Sequence, residues 1–278
     1  MTEKRKKKKG RVRLPGILAL LGILAVLLSP VGPAGVAADS PAALQTEEPA
    51  AMAETPPEES GETADLELPE APPAPEAPWA PVPESLPVED TYFTSAVFLG
   101  DSRTEGLFLY SGLRQGAFLY AVGATVESVF SKNVWETELD EKIPLLDALA
   151  QAECERVYVM LGVNELGWSK VETFHDQYAK VIDRIRSDHP GAEVVLQSLL
   201  PVSAKQEAKK SYVNNSRILA YNDAVMALAQ EKECPYLNVA EAVTGEDGCL
   251  KPELTSDGVH LNIAGCRIWV EYLRTHSV

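Results

Sequence analysis

The chain contains no Cys-x-x-Cys pair, and its four histidines are scattered. Metal centres take ligands at short, regular spacings, so this pattern argues against a metal site. No Gly-x-Ser-x-Gly is present, which removes the nucleophile elbow of the α/β-hydrolases. No internal repeat is apparent, so solenoid and propeller architectures are set aside. Lysine and arginine are missing altogether from residues 39–90, which hold fourteen Asp or Glu together with frequent Pro and Ala. The four cysteines, Cys154, Cys234, Cys249 and Cys266, allow three pairings. A Cys249–Cys266 bridge across one loop is open on spacing, against a Cys266 that packs on the apolar face of the last helix.

What is there divides the chain into three. Residues 1–13 carry eight Lys or Arg, and an uncharged apolar run follows from Leu14 to the small residues ending at Ala38. Residues 1–38 are expected to be a targeting segment. The apolar core Ile17 to Leu28 is short for a membrane span, and Val36-Ala37-Ala38 offers a cleavage site. A cleaved signal peptide and an uncleaved anchor both remain open, with membrane contact only through this segment if it is retained. In either case the rest of the chain is expected outside the cytoplasm, secreted or membrane-anchored. Residues 39–90 bury too little apolar surface to offset ordering entropy and are expected to be a disordered, extended acidic linker, with a reach on the order of 100 Å. The basic arm contributes +7, the linker −14 and residues 91–278 contribute −9, which sums to the net charge of −16. An acidic functional part excludes nucleic acid as a partner, because phosphate binding needs a basic footprint.

From residue 91 onward short apolar runs alternate with helical patterns. Strands are expected at Ala96 to Gly100, Ala117 to Val122, the run "RVYVMLGVN" from Arg156, "AEVVLQSLL" and "PYLNVA". Helical spacing marks Ile143 to Ala152, then Val171, Phe174, Tyr178, Val181 and Ile185, then Ile218, Tyr221, Val225 and Leu228, and a last helix spans about Asn262 to Arg274. Continuous apolar strands separated by helices indicate a parallel sheet covered on both faces, a three-layer α/β/α domain over 91–278. Ligands of such sheets bind outside the carboxyl ends of the strands. Those ends carry Gly100-Asp101-Ser102, Gly123 and Gly162-Val163-Asn164, and the loop before the last helix reads "SDGVHLN".

A serine nucleophile needs a base, and the base needs an acceptor that fixes its tautomer. Ser102, His260 and Asp257 supply the three parts. The Ser102 and Gly123 amides and the Asn164 side chain are candidate donors to a developing oxyanion. Each piece has a plainer use. Ser102-Arg103-Thr104-Glu105 fits a helix capping box, Gly123 suits a turn of positive φ, and Asp257-Gly258 suits an ordinary turn. Their joint position on one expected crevice favours the catalytic reading.

"FLGDSRTEGL", the glycine of "AVGATV", the asparagine of "MLGVNELG" and "TSDGVHLN" resemble, in order, the four sequence blocks of the SGNH, or GDSL-type, hydrolases. The resemblance covers essentially all of 91–278. It implies a five-stranded flavodoxin-like parallel sheet, no cofactor and ester substrates. It further implies Ser102 as nucleophile, Gly123 and Asn164 as oxyanion donors, Asp257 as orienting acid and His260 as base.

Two positions depart from the common pattern. Arg103 stands where many members carry leucine, and Glu165 where aspartate is common. Arg103 beside the reacting centre is a candidate contact for an anionic ligand, against the plainer reading of a solvated helix-start residue. The expected activity is an exported serine esterase acting on acyl, above all acetyl, esters of cell-envelope or extracellular glycans. Lipid esters, O-acyl transfer by the same residues, and a non-catalytic surface-displayed binding module are the alternatives.

Overall fold

A computed structural model describes residues 80–278. The targeting segment 1–38 and the linker up to residue 79 lie outside the described residues. In chain order the elements are β1 (Ala96–Gly100), α1 (Ser102–Tyr110), β2 (Ala117–Tyr120), β3 (Trp135–Glu136), β4 (Lys142–Ile143), α2 (Leu145–Leu149) and β5 (Arg156–Met160). They continue as α3 (Val171–Asp188), β6 (Glu193–Gln197), α4 (Ala204–Glu207), α5 (Asn215–Glu231), β7 (Tyr236–Leu237), α6 (Ala240–Val243) and α7 (Ile263–Thr275). Among the described residues no helix is long and apolar enough to cross a membrane.

Five strands form one parallel sheet in the order β2-β1-β5-β6-β7. All five residues of β1 are buried, as a strand covered on both faces requires. Alternation along each strand then builds two cores. Val97, Leu99, Val157, Val159, Val194 and Leu196 face one way, under residues of α2, α3 and α5. Ala96, Phe98, Tyr158, Met160 and Val195 face the other, under Leu107 of α1 and Trp269, Val270 and Leu273 of α7. The helix stripes expected at Phe174, Tyr178, Val181 and Ile185 and at Ile218, Tyr221, Val225 and Leu228 are buried in the first of these cores.

The strand order reverses between β1 and β5. Chain leaving β1 passes to β2 on one side, whereas β5 opens the run to β6 and β7 on the other. Their carboxyl ends therefore part, and this is where a crevice forms in open α/β sheets. β1 ends at Gly100 because α1 and β5 close on it there. A Cβ at Gly100 would collide with the Thr104 side chain and come within 2.6 Å of the Met160 carbonyl.

Two features differ from expectation, and a third settles an alternative that spacing leaves open. The linker reading extends too far, since Val82 donates to the Tyr236 carbonyl (2.9 Å), Ser85 to Thr275 (2.6 Å) and Val88 to Arg274 (2.9 Å). The Val82 bond lies along β7, an edge strand, and covers part of a row of backbone groups that would otherwise stay open. Second, β3 and β4 pair as an antiparallel hairpin of two residues per strand, too short to leave a periodic signal. Third, all four cysteines are free. Buried Cys266 turns its Sγ toward the Gly106 carbonyl at 3.4 Å, and the Cys249 Sγ lies 3.4 Å from the Asn215 side-chain amide, so no bridge joins them.

Candidate active site

The turn out of β1 places two acceptors side by side at the start of α1. Asp101, not Ser102, caps the helix, its Oδ1 accepting the Arg103 amide at 2.8 Å. The capping box that Ser102-Arg103-Thr104-Glu105 could make, the plainer use of this serine, does not form. Ser102 becomes the first helical residue, and its hydroxyl is left to meet a different partner.

That partner is His260. Ser102 Oγ lies 2.9 Å from His260 Nε2, and His260 Nδ1 lies 2.7 Å from Asp257 Oδ2. The carboxylate at Nδ1 fixes the ring proton there and leaves Nε2 to accept from the serine hydroxyl. Asp257 Oδ1 accepts the backbone amides of Val259 and His260, each at 2.8 Å, so one side chain shapes the turn and orients the ring. Burial works against the Asp257 charge. The His260 amide, the His260 ring and the Val259 amide outweigh it, and the carboxyl falls to about 2.

The turn is held from both sides. Thr255 Oγ1 donates to the His260 carbonyl at 2.7 Å and accepts the Gly258 amide at 2.9 Å. The Ser203 amide donates to the Gly258 carbonyl at 2.9 Å. Gly258 has φ +90°, and a Cβ there would lie 2.5 Å from the Ser203 hydroxyl, so the Asp-Gly pair answers both to turn geometry and to close packing. Asn262 then caps α7, accepting the Ala264 and Gly265 amides at 2.9 and 3.1 Å. Thr255 was not singled out from sequence. A hydroxyl two residues ahead of an Asp-Gly turn is the signal that points to it.

Gly123 has φ +74°, with nothing within 4 Å of where a Cβ would stand. The Asn164 side-chain amide donates to the Ala124 carbonyl at 2.8 Å, which ties the loop after β5 to the loop after β2. One of its two N–H groups is engaged in this bond, and the other has no protein acceptor among the described residues. Glu165, next in the chain, is wholly buried and accepts the Val126 amide at 2.6 Å, a second tie between the same two loops.

Arg103 is neither solvated nor a wall of the cleft. It is 3% exposed, and its Nη1 donates to the Leu200 carbonyl at 3.0 Å. Burial lowers its guanidinium to about 10, while Asp101 and Asp257 act in the opposite direction. The Asp101 carboxyl is in turn pushed up by burial and drawn back by Arg103. Asp101 Oδ2 and Arg103 Nε and Nη2 have no protein partner. Both residues are buried and neither lines the cleft in front of Ser102.

The open space in front of Ser102 is a cleft of about 570 Å³ between one face of α1 and the segment 256–263. Among the described residues no group of three or more His, Cys, Asp or Glu could hold a metal ion.

The chain is similar to several known proteins, among them an esterase known by sequence and two solved structures. The isoamyl acetate-hydrolyzing esterase of Saccharomyces cerevisiae is 23% identical over 198 residues, covering 64% of this chain and 83% of the yeast protein. The structure of a candidate platelet activating factor from Streptococcus pneumonia is 23% identical, with a TM-score of 0.52 over 64% of this chain and 81% of that one. An acetyl xylan esterase, AlAXEase, is 17% identical, with a TM-score of 0.50 over 66% of this chain and 99% of that one. The two structures share the fold. The family model for GDSL-like lipases and acylhydrolases matches residues 98–268, from β1 through the Asp257–His260 turn into α7, and the chain therefore belongs to the GDSL-like Lipase/Acylhydrolase family of carboxylic ester hydrolases.

Proposed function

We propose that this chain is an exported serine esterase that removes acyl groups, acetyl first among them, from cell-envelope or extracellular glycans. The single observation that carries the reading is the chain of contacts from Ser102 Oγ to His260 Nε2 (2.9 Å) and from His260 Nδ1 to Asp257 Oδ2 (2.7 Å). His260 takes the hydroxyl proton as Ser102 Oγ attacks the ester carbonyl. The imidazolium is stabilised by Asp257, and the oxyanion is held by the Ser102 and Gly123 amides and the free N–H of Asn164. Each such donor is worth about 2.7 to 4 kcal/mol of barrier. His260 then passes its proton to the departing alcohol, and an acyl-Ser102 remains. A water deprotonated by His260 releases the acid and restores the serine.

Acetyl is favoured as the acyl group by the yeast relative named for hydrolysing isoamyl acetate. A site outside the cytoplasm is supported by the basic arm and apolar run of residues 1–38 and by the acidic stretch that follows. The test is a fluorophosphonate probe on the full chain. Covalent labelling of the wild type that vanishes in Ser102→Ala, together with acetate release from acetylated glycan, supports the reading. A folded wild type that takes no label would leave only a binding role.

A further inference from the structure

Ser102, Glu105 and Leu109 recur at helical spacing and share one face of α1, which forms a wall of the cleft. Beside them Tyr110, Val122 and Ile263 also line it, and the four apolar side chains are unusually open, Leu109 at 53%, Tyr110 at 46%, Val122 at 66% and Ile263 at 53% exposure. No lysine or arginine lines this cleft. Its carboxylates are Asp257, already engaged by His260, and Glu105, which forms no ion pair among the described residues. An uncommitted carboxylate one helical turn from the nucleophile, with an aromatic ring and aliphatic side chains around it, combines the features that attract an organic cation and repel an anion.

We propose that the α1 side of the cleft is a subsite for an ester whose alcohol carries an ammonium group on an apolar frame, with Glu105 as the residue that selects it. This rests on the esterase reading, and it narrows the glycan to one whose acylated sugars bear free amines. The apolar face of the alcohol lies on Leu109, Tyr110, Val122 and Ile263, and the ammonium faces the Glu105 carboxylate. Anionic esters meet a cleft with no compensating cation.

The test uses the full chain and three acetate esters: acetylcholine, the uncharged isostere in which carbon replaces the quaternary nitrogen, and the acetate ester of a hydroxybutanoate. Wild type is expected to favour acetylcholine over the isostere in kcat/KM on the order of fivefold, the size of one charge pair in water, and to turn over the anionic ester most slowly. The preference resides in KM and shrinks at high salt. Glu105→Gln brings the ratio of cationic to neutral ester close to one, and Glu105→Lys favours the anionic ester. A wild-type ratio near one, or a ratio that survives in Glu105→Gln, overturns the proposal. If no ester is hydrolysed and Ser102 takes no fluorophosphonate, the esterase reading itself fails and this proposal falls with it; labelled, active enzyme without charge selectivity refutes the subsite alone.

Discussion

Asp257 holds His260 twice, through Oδ2 on the ring Nδ1 at 2.7 Å and through Oδ1 on the backbone amide at 2.8 Å. A single carboxylate thus sets where the residue sits and which ring nitrogen carries the proton. The two functions separate on substitution. In Asp257→Asn the carbonyl oxygen keeps the Val259 and His260 amides, while the amide nitrogen faces Nδ1 and drives the ring proton to Nε2. His260 then has no lone pair for Ser102.

Asp257→Asn is therefore expected to fold normally and to lose on the order of 10³- to 10⁴-fold in kcat, as tautomer reversal does in other Ser-His-Asp sites. Steady-state hydrolysis of an acetyl ester with circular dichroism on the same sample checks both halves. Activity close to wild type would show that the carboxylate does not orient the base. The depressed carboxyl also has a consequence for stability. Its stabilising contribution is present above the unfolded value of 3.8 and is lost as pH falls from there through about 2.

Arg103 lies directly after the nucleophile, yet the residue is 3% exposed and bonded to the Leu200 carbonyl. Arg103→Ala is expected to lower stability by roughly 2 to 4 kcal/mol, because it opens a cavity and strands the buried Asp101 carboxyl without its nearby cation. Urea unfolding measures this. KM for neutral and anionic esters should shift together, since the guanidinium does not reach the cleft. A selective rise in KM for the anionic ester would restore the substrate-contact role expected from sequence.

The parts legible in sequence were those fixed by local pattern. Buried strands such as Ala96–Gly100 are unbroken apolar runs, the α3 and α5 stripes repeat at helical spacing, and Ser102, Asp257 and His260 fall where the chain turns at strand and helix ends. What stayed illegible depends on long-range packing or on competition between neighbours. Asp101 and Ser102 are both good caps, and only the position of His260 decides which hydroxyl or carboxylate turns inward. The burial of Arg103 depends on Leu200, 97 residues away. Residues 82–88 read as spacer by composition, yet their backbone amides find carbonyls at the β7 edge and the end of α7.

Glu165 joins the candidate oxyanion loops and titrates in an unusual range. Its Oε1 accepts the Val126 amide at 2.6 Å, three residues beyond Gly123, while Oε2 has no partner and the side chain is wholly buried. Burial, with a further push from Asp101, raises the carboxyl from 4.5 to about 8 against the pull of the Val126 amide. The groups facing it are Asp101 after β1, Tyr178 on α3 and Tyr221 on α5, whose hydroxyl bonds the Glu165 carbonyl at 2.5 Å. Between 4.5 and about 8 the folded chain keeps a proton that the unfolded chain has released. Stability is then full below 4.5 and declines as pH rises through this window, by at most about 1.4 kcal/mol per pH unit. Glu165→Gln retains an acceptor for Val126 and carries no charge, so its stability should lack this decline. Denaturant midpoints measured from about pH 4 to about pH 9 should nearly coincide at the acid end and favour the variant at the alkaline end. Parallel stability curves for the two proteins would mean that this carboxyl is already ionised at neutral pH.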